Sequence, residues 1–149
     1  MNRRHFILTA LGTALLARPA LAAPLRVEIY KSPTCGCCTA WADHMTQAGF
    51  ATDTRDVEQD MLWAIKERSG ITPELGSCHT AFVEGYVIEG HVPADDIQRL
   101  LAERPDALGL AVPGMPIGSP GMEMGGQVDA FDTLLVLRDG TTDVFQRHG

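Results

Sequence analysis

The fold is decided between residues 25 and 38, where the chain reads Leu25-Arg-Val-Glu-Ile-Tyr-Lys-Ser-Pro-Thr-Cys-Gly-Cys-Cys38. Apolar and polar residues alternate as far as Tyr30, which predicts a strand, and the Pro-containing segment 32–34 ends it. Apolar residues then recur at helical spacing from Cys38 to Ala48. The cysteines therefore lie between a strand and a helix, at a helix amino terminus, where the helix dipole and unpaired amides stabilise thiolate.

Strand and helix patterns continue to alternate after this segment. They predict a strand over 50–57, a helix over 60–68, a hairpin over 81–88, a helix over 94–103 and a final hairpin over 132–145. Residues 108–127 are rich in Gly, Pro and Met and predict a long loop. This order predicts an α/β fold with a central mixed sheet flanked by helices and a Gly/Pro/Met-rich loop insertion. It resembles the thioredoxin and glutaredoxin fold.

The amino terminus has the features of an export signal. Arg3 and Arg4 precede an apolar run over 6–17, and small residues at Ala20 and Ala22 suit a signal peptidase. The run is shorter than the roughly 20 residues of a membrane-spanning helix. We therefore expect a signal peptide over 1–22, no stable membrane insertion, and one metal-binding domain over 23–149 in the periplasm. The arginine pair resembles a twin-arginine signal, although ordinary secretion signals carry such pairs as well.

The exported domain is acidic. Removing residues 1–22 takes away three arginines and moves the formal charge from −7 to −10. The remaining sequence has no lysine- or arginine-rich run that could neutralise phosphates, so we expect no nucleic acid or lipid partner. A cationic ligand is easier to accommodate.

The cysteine cluster supports several chemistries. Cys35 and Cys38 have the spacing of a redox pair, and if the site is redox-active these two residues carry the reaction. Cys37 adds a third thiol, which invites scrambling in a plain thiol-disulfide oxidoreductase but serves as a further ligand for a soft ion such as Cu(I). Three alternatives stay open: a thiol-disulfide oxidoreductase in which Cys35 attacks and Cys38 resolves, a structural disulfide from Cys35 or Cys37 to Cys78, and a zinc-stabilised module.

The chain also resembles known proteins in detail. In the thioredoxin fold a proline loop faces the cysteine pair, and here Cys78 and His79 occupy that position. Three segments resemble the CopG-like copper-resistance family, once a domain of unknown function: Ser32-Pro-Thr-Cys-Gly-Cys-Cys38, Gly85-Tyr-Val-Ile-Glu-Gly-His-Val-Pro93 and Gly109-Leu-Ala-Val-Pro-Gly-Met-Pro-Ile-Gly-Ser-Pro-Gly-Met-Glu123. The resemblance implies a periplasmic, thioredoxin-like copper protein, with several ions in a cysteine-rich cluster and a copper-redox role.

Other side chains complete the predicted site. His91 follows the hairpin, where it could cap a helix, pair with Glu89 or bind metal. Methionine sulfur binds Cu(I), so the loop methionines are candidate ligands. The predicted metal ligands are Cys35, Cys37, Cys38, Cys78, His79, His91, Met115 and Met122. Copper, as Cu(I), is the expected metal ahead of zinc, and other periplasmic copper-handling proteins are the expected partners.

The remaining candidates have simpler interpretations. His44 lies six residues beyond Cys38, or about 9 Å further along a helix, so we assign it to the surface. His148 is expected to be a mobile terminal residue. Met45 and Met61 are assigned to the core, and Trp41 and Trp63 to the core or an interface.

Overall fold

The computed structural model of the protein describes residues 23–149. The predicted signal peptide, residues 1–22, lies outside the described range. The elements, in chain order, are β1 (Arg26–Lys31), α1 (Gly36–Gln47), β2 (Ala51–Asp56), α2 (Gln59–Arg68), a short 3-10 helix (Pro73–Leu75), β3 (His79–Val83), β4 (Tyr86–Glu89), α3 (Ala94–Glu103), β5 (Gly109–Ala111), β6 (Phe131–Val136) and β7 (Thr142–His148).

The seven strands form one mixed sheet in the order β2-β1-β3-β4-β5-β6-β7. The pairs β1/β2 and β4/β5 are parallel, and the other neighbours are antiparallel. The predicted α/β class with a mixed sheet and flanking helices is confirmed, and the order of β1 to α3 is compatible with a thioredoxin-like topology. Within residues 23–149, no helix combines the length and apolar character needed to span a bilayer.

Two apolar clusters hold the sheet and its helices together. The larger contains Val27 and Ile29 of β1, Trp41 and Met45 of α1, and Leu100 of α3, all fully buried. The alternation along β1 buries every second side chain, as period-2 patterning requires, and two of the three buried residues belong to this cluster. Burying such side chains removes roughly 1.5–3 kcal/mol of unfavourable hydration each, so α1 is fixed against the sheet with the cysteines at its amino terminus.

The predicted loop over 108–127 is wrong at its start, because residues Gly109–Ala111 form β5. This strand pairs with β4 on one side and β6 on the other. At Gly109 an added Cβ would lie 1.7 Å from the carbonyl oxygen of Val87, so only glycine permits this approach of the two backbones. The glycine that suggested a loop is therefore required by strand pairing.

One of the two core methionines was assigned incorrectly. Met45 is fully buried, but Met61 is 52% exposed. In α2 the buried positions are Leu62, Ile65 and Lys66, which turns the neighbouring Met61 toward solvent. Trp63 of the same helix is 40% exposed, in contrast to the buried Trp41.

The carboxyl terminus is more ordered than predicted. His148 is the last residue of β7, and its Nε2 lies 2.9 Å from a carboxylate oxygen of the buried Asp96. Its ring stacks on Phe131, with ring centroids 4.5 Å apart. The prediction of a mobile His148 is wrong because Asp96, in the first turn of α3, holds it.

Candidate metal centre

The first cysteine segment begins α1. Cys35 precedes the first residue of the helix, and Cys37 and Cys38 lie in its first turn, where a helix leaves its backbone amides unpaired. Cys35 and Cys38 form a disulfide. The disulfide alternative that paired Cys35 or Cys37 with Cys78 is therefore wrong. Cys37 and Cys78 are free thiols.

Cys37 connects the disulfide to the second cysteine segment. Its Sγ lies 3.4 Å from the Sγ of Cys35 and 3.7 Å from the Sγ of Cys78. Cys78 lies just before β3, which pairs with β1, so the sheet brings the two segments together. The sulfurs of Cys35, Cys37, Cys38 and Cys78 all lie within 4.8 Å of one another. Four sulfurs grouped this closely are a candidate set of ligands for a metal ion.

The Cys78 side chain is held as a thiol. Burial, together with the neighbouring Cys37, raises its pKa to about 12. A positive ion bound at this point would reverse that effect, because a coordinating thiol loses its proton.

His91 faces the same sulfur. Its Nε2 lies 2.9 Å from the Sγ of Cys78, and its Nδ1 lies 2.8 Å from the carbonyl oxygen of Pro120. The ring must donate through Nδ1, because a carbonyl only accepts, and this places the Nε2 lone pair toward Cys78. Burial lowers the pKa of His91, which favours the neutral ring that binds metals. Among the described residues His91 makes no hydrogen bond to Glu89 and does not cap α3, and its role as a ligand stays a prediction.

His79 is fully buried beside these groups. Its Nδ1 lies 3.6 Å from the Sγ of Cys78, and its ring packs against Trp41 and His91 with centroid distances of 4.4 and 5.1 Å. Burial, followed by the nearby His91 and Lys66, lowers its pKa well below the usual value. Its Nε2 has no hydrogen-bond partner among the described residues. The nitrogen that lies toward Cys78 is Nδ1, so a ligand role for His79 rests on the grouping of Cys78, His79 and His91, a donor set that fits a soft metal ion.

The Gly/Pro/Met-rich loop contacts both cysteine segments of the site, next to Cys78 and at Cys37. On one side the Ser77 hydroxyl donates to the carbonyl of Gly114 at 2.5 Å. On the other, an added Cβ at Gly121 would lie 2.6 Å from the carbonyl oxygen of Cys37. Met115 and Met122 each follow one of these glycines, and Met115 is 52% exposed while Met122 is half-buried. Their role as ligands stays a prediction.

His44 does not share in the cluster. Its Nε2 accepts a hydrogen bond of 3.1 Å from the backbone N–H of Ala94, the first residue of α3. It is half-buried and satisfies one of the amides that a helix start leaves unpaired. Its role is to join α1 to α3.

Sequence reasoning missed an ion pair directly behind the second cysteine segment. Lys66 and Glu89 are fully buried, and the Lys66 Nζ lies 2.5 Å from a Glu89 carboxylate oxygen. One signal could have revealed it, because Lys66 lies four residues after Leu62, on the apolar side of α2. A lysine at such a position needs a buried partner.

The comparisons with known proteins agree with this architecture. The fold and the thiol- and imidazole-lined site define an α/β protein with a candidate soft-metal centre. A solved structure named Copper resistance protein CopG, Form 2, is 44% identical and has a TM-score of 0.78; the match covers 85% of this chain and 99% of that chain. For Form 1 the identity is 45%, the TM-score 0.78 and the coverage 84% and 98%. The chain belongs to the CopG family of copper resistance proteins, as the sequence resemblance predicted.

Residues 75–122 match a family model described as a protein of unknown function, DUF411. This range includes Cys78, His79, His91 and most of the loop. No curated protein matches the chain.

Proposed function

We propose that this protein binds copper as Cu(I) in copper resistance, at the site formed by the four cysteines and by His79 and His91. One observation carries the proposal: the four sulfurs lie within 4.8 Å of one another, and Cys78 also belongs to a second such group with the two histidines. Thiolate and imidazole are ligands that Cu(I) prefers. The names of the two CopG structures support copper as the metal.

The donor set favours several copper ions over one zinc ion. A structural zinc site uses four ligands in a tetrahedron. Here six donor groups fall into two overlapping sets that share Cys78. A thiolate that belongs to two sets can bridge two ions. We infer that the reduced protein holds more than one Cu(I), with Met115 and Met122 as additional ligands from the loop.

The cysteine pair also supports a copper-redox activity. Two Cu(II) ions would each take one electron from the reduced pair, which becomes the Cys35–Cys38 disulfide and releases two protons. The products are two Cu(I) ions, which the remaining thiols and histidines can bind. The disulfide and the helix amino terminus beside it support this step.

A thiol-disulfide oxidoreductase is the second candidate, and the same disulfide favours it. In that case Cys35 would attack a substrate disulfide and Cys38 would resolve the intermediate. The two functions differ in their dependence on His91. Replacing His91 would impair copper binding, whereas turnover of a model disulfide substrate would persist.

We place the protein in the periplasm. The charged and apolar pattern of residues 1–22 supports export, and an oxidising compartment is compatible with the disulfide. Other periplasmic copper-handling proteins are the proposed partners for receiving or delivering the ion.

Anaerobic copper titration tests the proposal. The purified protein is reduced, desalted and loaded with Cu(I), and bound copper is measured by elemental analysis. We expect more than one Cu(I) per chain, with sulfur and nitrogen neighbours in X-ray absorption. The Cys78→Ser variant should bind fewer ions, while His44→Gln, which alters only the contact with α3, should match the unmodified protein. A reduced protein that takes up no copper would refute the proposal.

A further inference from the structure

The buried ion pair behind the site lies where it can control the geometry of the site. Lys66 comes from α2 and Glu89 is the last residue of β4, two residues before His91. Both side chains are within 1% of complete burial. Their contacts reach residues on both sides of Cys78 and His79.

The Glu89 carboxylate holds the second cysteine segment at two points. One oxygen accepts the backbone N–H of Ser77 at 2.7 Å, and the other accepts the hydroxyl of Thr80 at 2.7 Å. Ser77 and Thr80 directly flank the pair Cys78-His79. A single carboxylate therefore fixes the chain before and after the two proposed ligands.

Lys66 supplies the counter-charge and closes the network. Its ammonium donates to Glu89 and also, at 3.0 Å, to the Thr80 hydroxyl. The hydroxyl accepts from the lysine and donates to the carboxylate, so both of its roles are used. Every oxygen of the carboxylate has at least one donor, which makes this a satisfied network.

Stability alone does not explain such a pair. Removing two charges from water carries a large desolvation penalty, and well-packed apolar replacements are often neutral or stabilising. In some proteins a buried polar or charged group instead enforces one arrangement among several. Here the pair would fix the conformation of the segment from Ser77 to Thr80, which carries Cys78 and His79.

We propose that Glu89, with Lys66 as its counter-ion, is a positioning residue for the metal site, because its carboxylate clamps Ser77 and Thr80 and so orients the Cys78 sulfur and the His79 ring. The proposal rests on the proposed copper function. The positioning proposal goes further than the copper function, because it assigns part of the site's Cu(I) affinity to Glu89, a hydrogen-bond acceptor that does not touch the ion. Residues that orient metal ligands typically contribute 10–100-fold to metal affinity.

Two double variants separate the acceptor from the charges. Lys66→Met with Glu89→Gln removes both charges but retains an oxygen for the Ser77 amide and an NH₂ group for the Thr80 hydroxyl. Lys66→Met with Glu89→Leu also removes both charges and leaves the Ser77 amide without an acceptor. The two proteins therefore differ mainly in the clamp.

Cu(I) affinity is measured anaerobically by competition with a chromophoric Cu(I) chelator. We expect the Gln variant to remain within about threefold of the unmodified protein and the Leu variant to bind about 10–100-fold more weakly. Asp96→Asn is the control, because it also removes a buried carboxylate, whose partners Thr133 and His148 belong to β6 and β7. It should lower the unfolding temperature without changing Cu(I) affinity.

A second readout does not depend on copper. The Ser77 amide should exchange with deuterium at least about tenfold faster in the Leu variant than in the Gln variant, since a broken hydrogen bond exposes it to local opening. Equal exchange and equal affinity in two folded variants would overturn the positioning role. Failure of the unmodified protein to bind Cu(I) would refute the copper function, while the exchange data would still test the clamp.

The single variant Glu89→Asp provides the test if the Leu variant does not fold. It retains the charge but shortens the side chain by one methylene, so the carboxylate cannot reach Lys66, Ser77 and Thr80 together. We expect weaker Cu(I) binding and faster Ser77 exchange. Unchanged Cu(I) affinity together with an unchanged exchange rate of the Ser77 amide would contradict the proposal.

Discussion

The Nε2 of His91 lies 2.9 Å from the Sγ of Cys78, and the opposite nitrogen of the ring is 2.8 Å from the Pro120 carbonyl. A loop residue thus selects the tautomer that directs a lone pair at the cysteine cluster. The loop and the cluster act together through one histidine. We therefore expect changes in either of them to affect copper binding.

Removing the His91 ring should weaken copper binding directly. We expect His91→Ala to lower Cu(I) affinity at least about tenfold, because a ligand should matter no less than the groups that orient it. Chelator competition under anaerobic conditions measures the change. His44→Gln is the matched control, since that histidine contacts the backbone of Ala94 and not a sulfur. Equal affinities for the two variants would exclude His91 as a ligand.

Copper binding should strengthen as pH rises. The pKa of Cys78 is about 12, so at neutral pH its proton must leave when the thiolate binds an ion. Each proton released makes the apparent affinity rise about tenfold per pH unit. Titrations between pH 6 and pH 8, run in several buffers, give the number of protons. The Cys78→Ser variant should release one proton fewer, and an unchanged number would contradict this assignment.

The metal-free protein should lose stability in acid. The pKa of His79 is well below 6.5 in the folded state, mainly because of burial, so below about pH 6.5 the unfolded chain binds a proton that the folded chain does not. The free energy of unfolding should therefore fall by up to about 1.4 kcal/mol per pH unit for this group as pH decreases. Denaturant unfolding between pH 7 and pH 5 measures the slope.

His79→Phe tests the origin of that slope. The variant removes the titrating nitrogen and should have a shallower dependence on pH. Trp41→Phe is its control, because it alters the same part of the core without removing a titrating group. If both variants retained the original slope, His79 would not be its source.

The number of reactive thiols should distinguish the oxidised and reduced states. Under denaturing conditions the oxidised protein should show two thiols, from Cys37 and Cys78, and the reduced protein four. Peptide mapping without reduction should recover the Cys35–Cys38 link. In the Cys37→Ser variant the oxidised protein should retain this link and show one thiol. A link that involves Cys78 would contradict the structure.

Two glycines of the long loop form a matched pair. Gly121 has φ +85°, and a Cβ there would lie 2.6 Å from the Cys37 carbonyl and 2.9 Å from the Trp41 amide nitrogen. Gly126 has φ +81° and nothing within 4 Å. Both alanine variants introduce backbone strain of about 1–3 kcal/mol, but only Gly121→Ala pushes the loop off α1.

Gly121→Ala should therefore lower the unfolding temperature more than Gly126→Ala, and it should also weaken Cu(I) binding. Thermal unfolding and chelator competition measure the two effects. Equal losses in both variants would show that contact between the loop and α1 is unimportant.

Strong local patterns were enough to predict much of the fold. The strand over 26–31 and the helix that follows have clear periods, so the position of the cysteines was predictable. The three residues of β5 are too few to show any period. In α2 the adjacent apolar residues Met61 and Leu62 leave the buried side ambiguous until the sheet is in place.

Parts of the site depend on contacts that no local pattern records. The resemblance to a thioredoxin-like fold placed Cys78 opposite the first cysteines, but disulfide connectivity cannot be derived from sequence alone. The pairing of Lys66 with Glu89 joins a helix and a strand 23 residues apart in the chain. Such a pair becomes visible only when the tertiary structure is known.

The short distance between the Cys37 and Cys78 sulfurs has a mechanical consequence. These residues are 41 positions apart, and an ion that bridged them would close that stretch of chain into a ring. A cross-link of this kind restricts the unfolded chain, as a disulfide does, by an amount that grows slowly with ring size. Bound copper would cross-link α1 to the chain just before β3. Its loss would therefore lower the free energy of unfolding of the protein as well as empty the site.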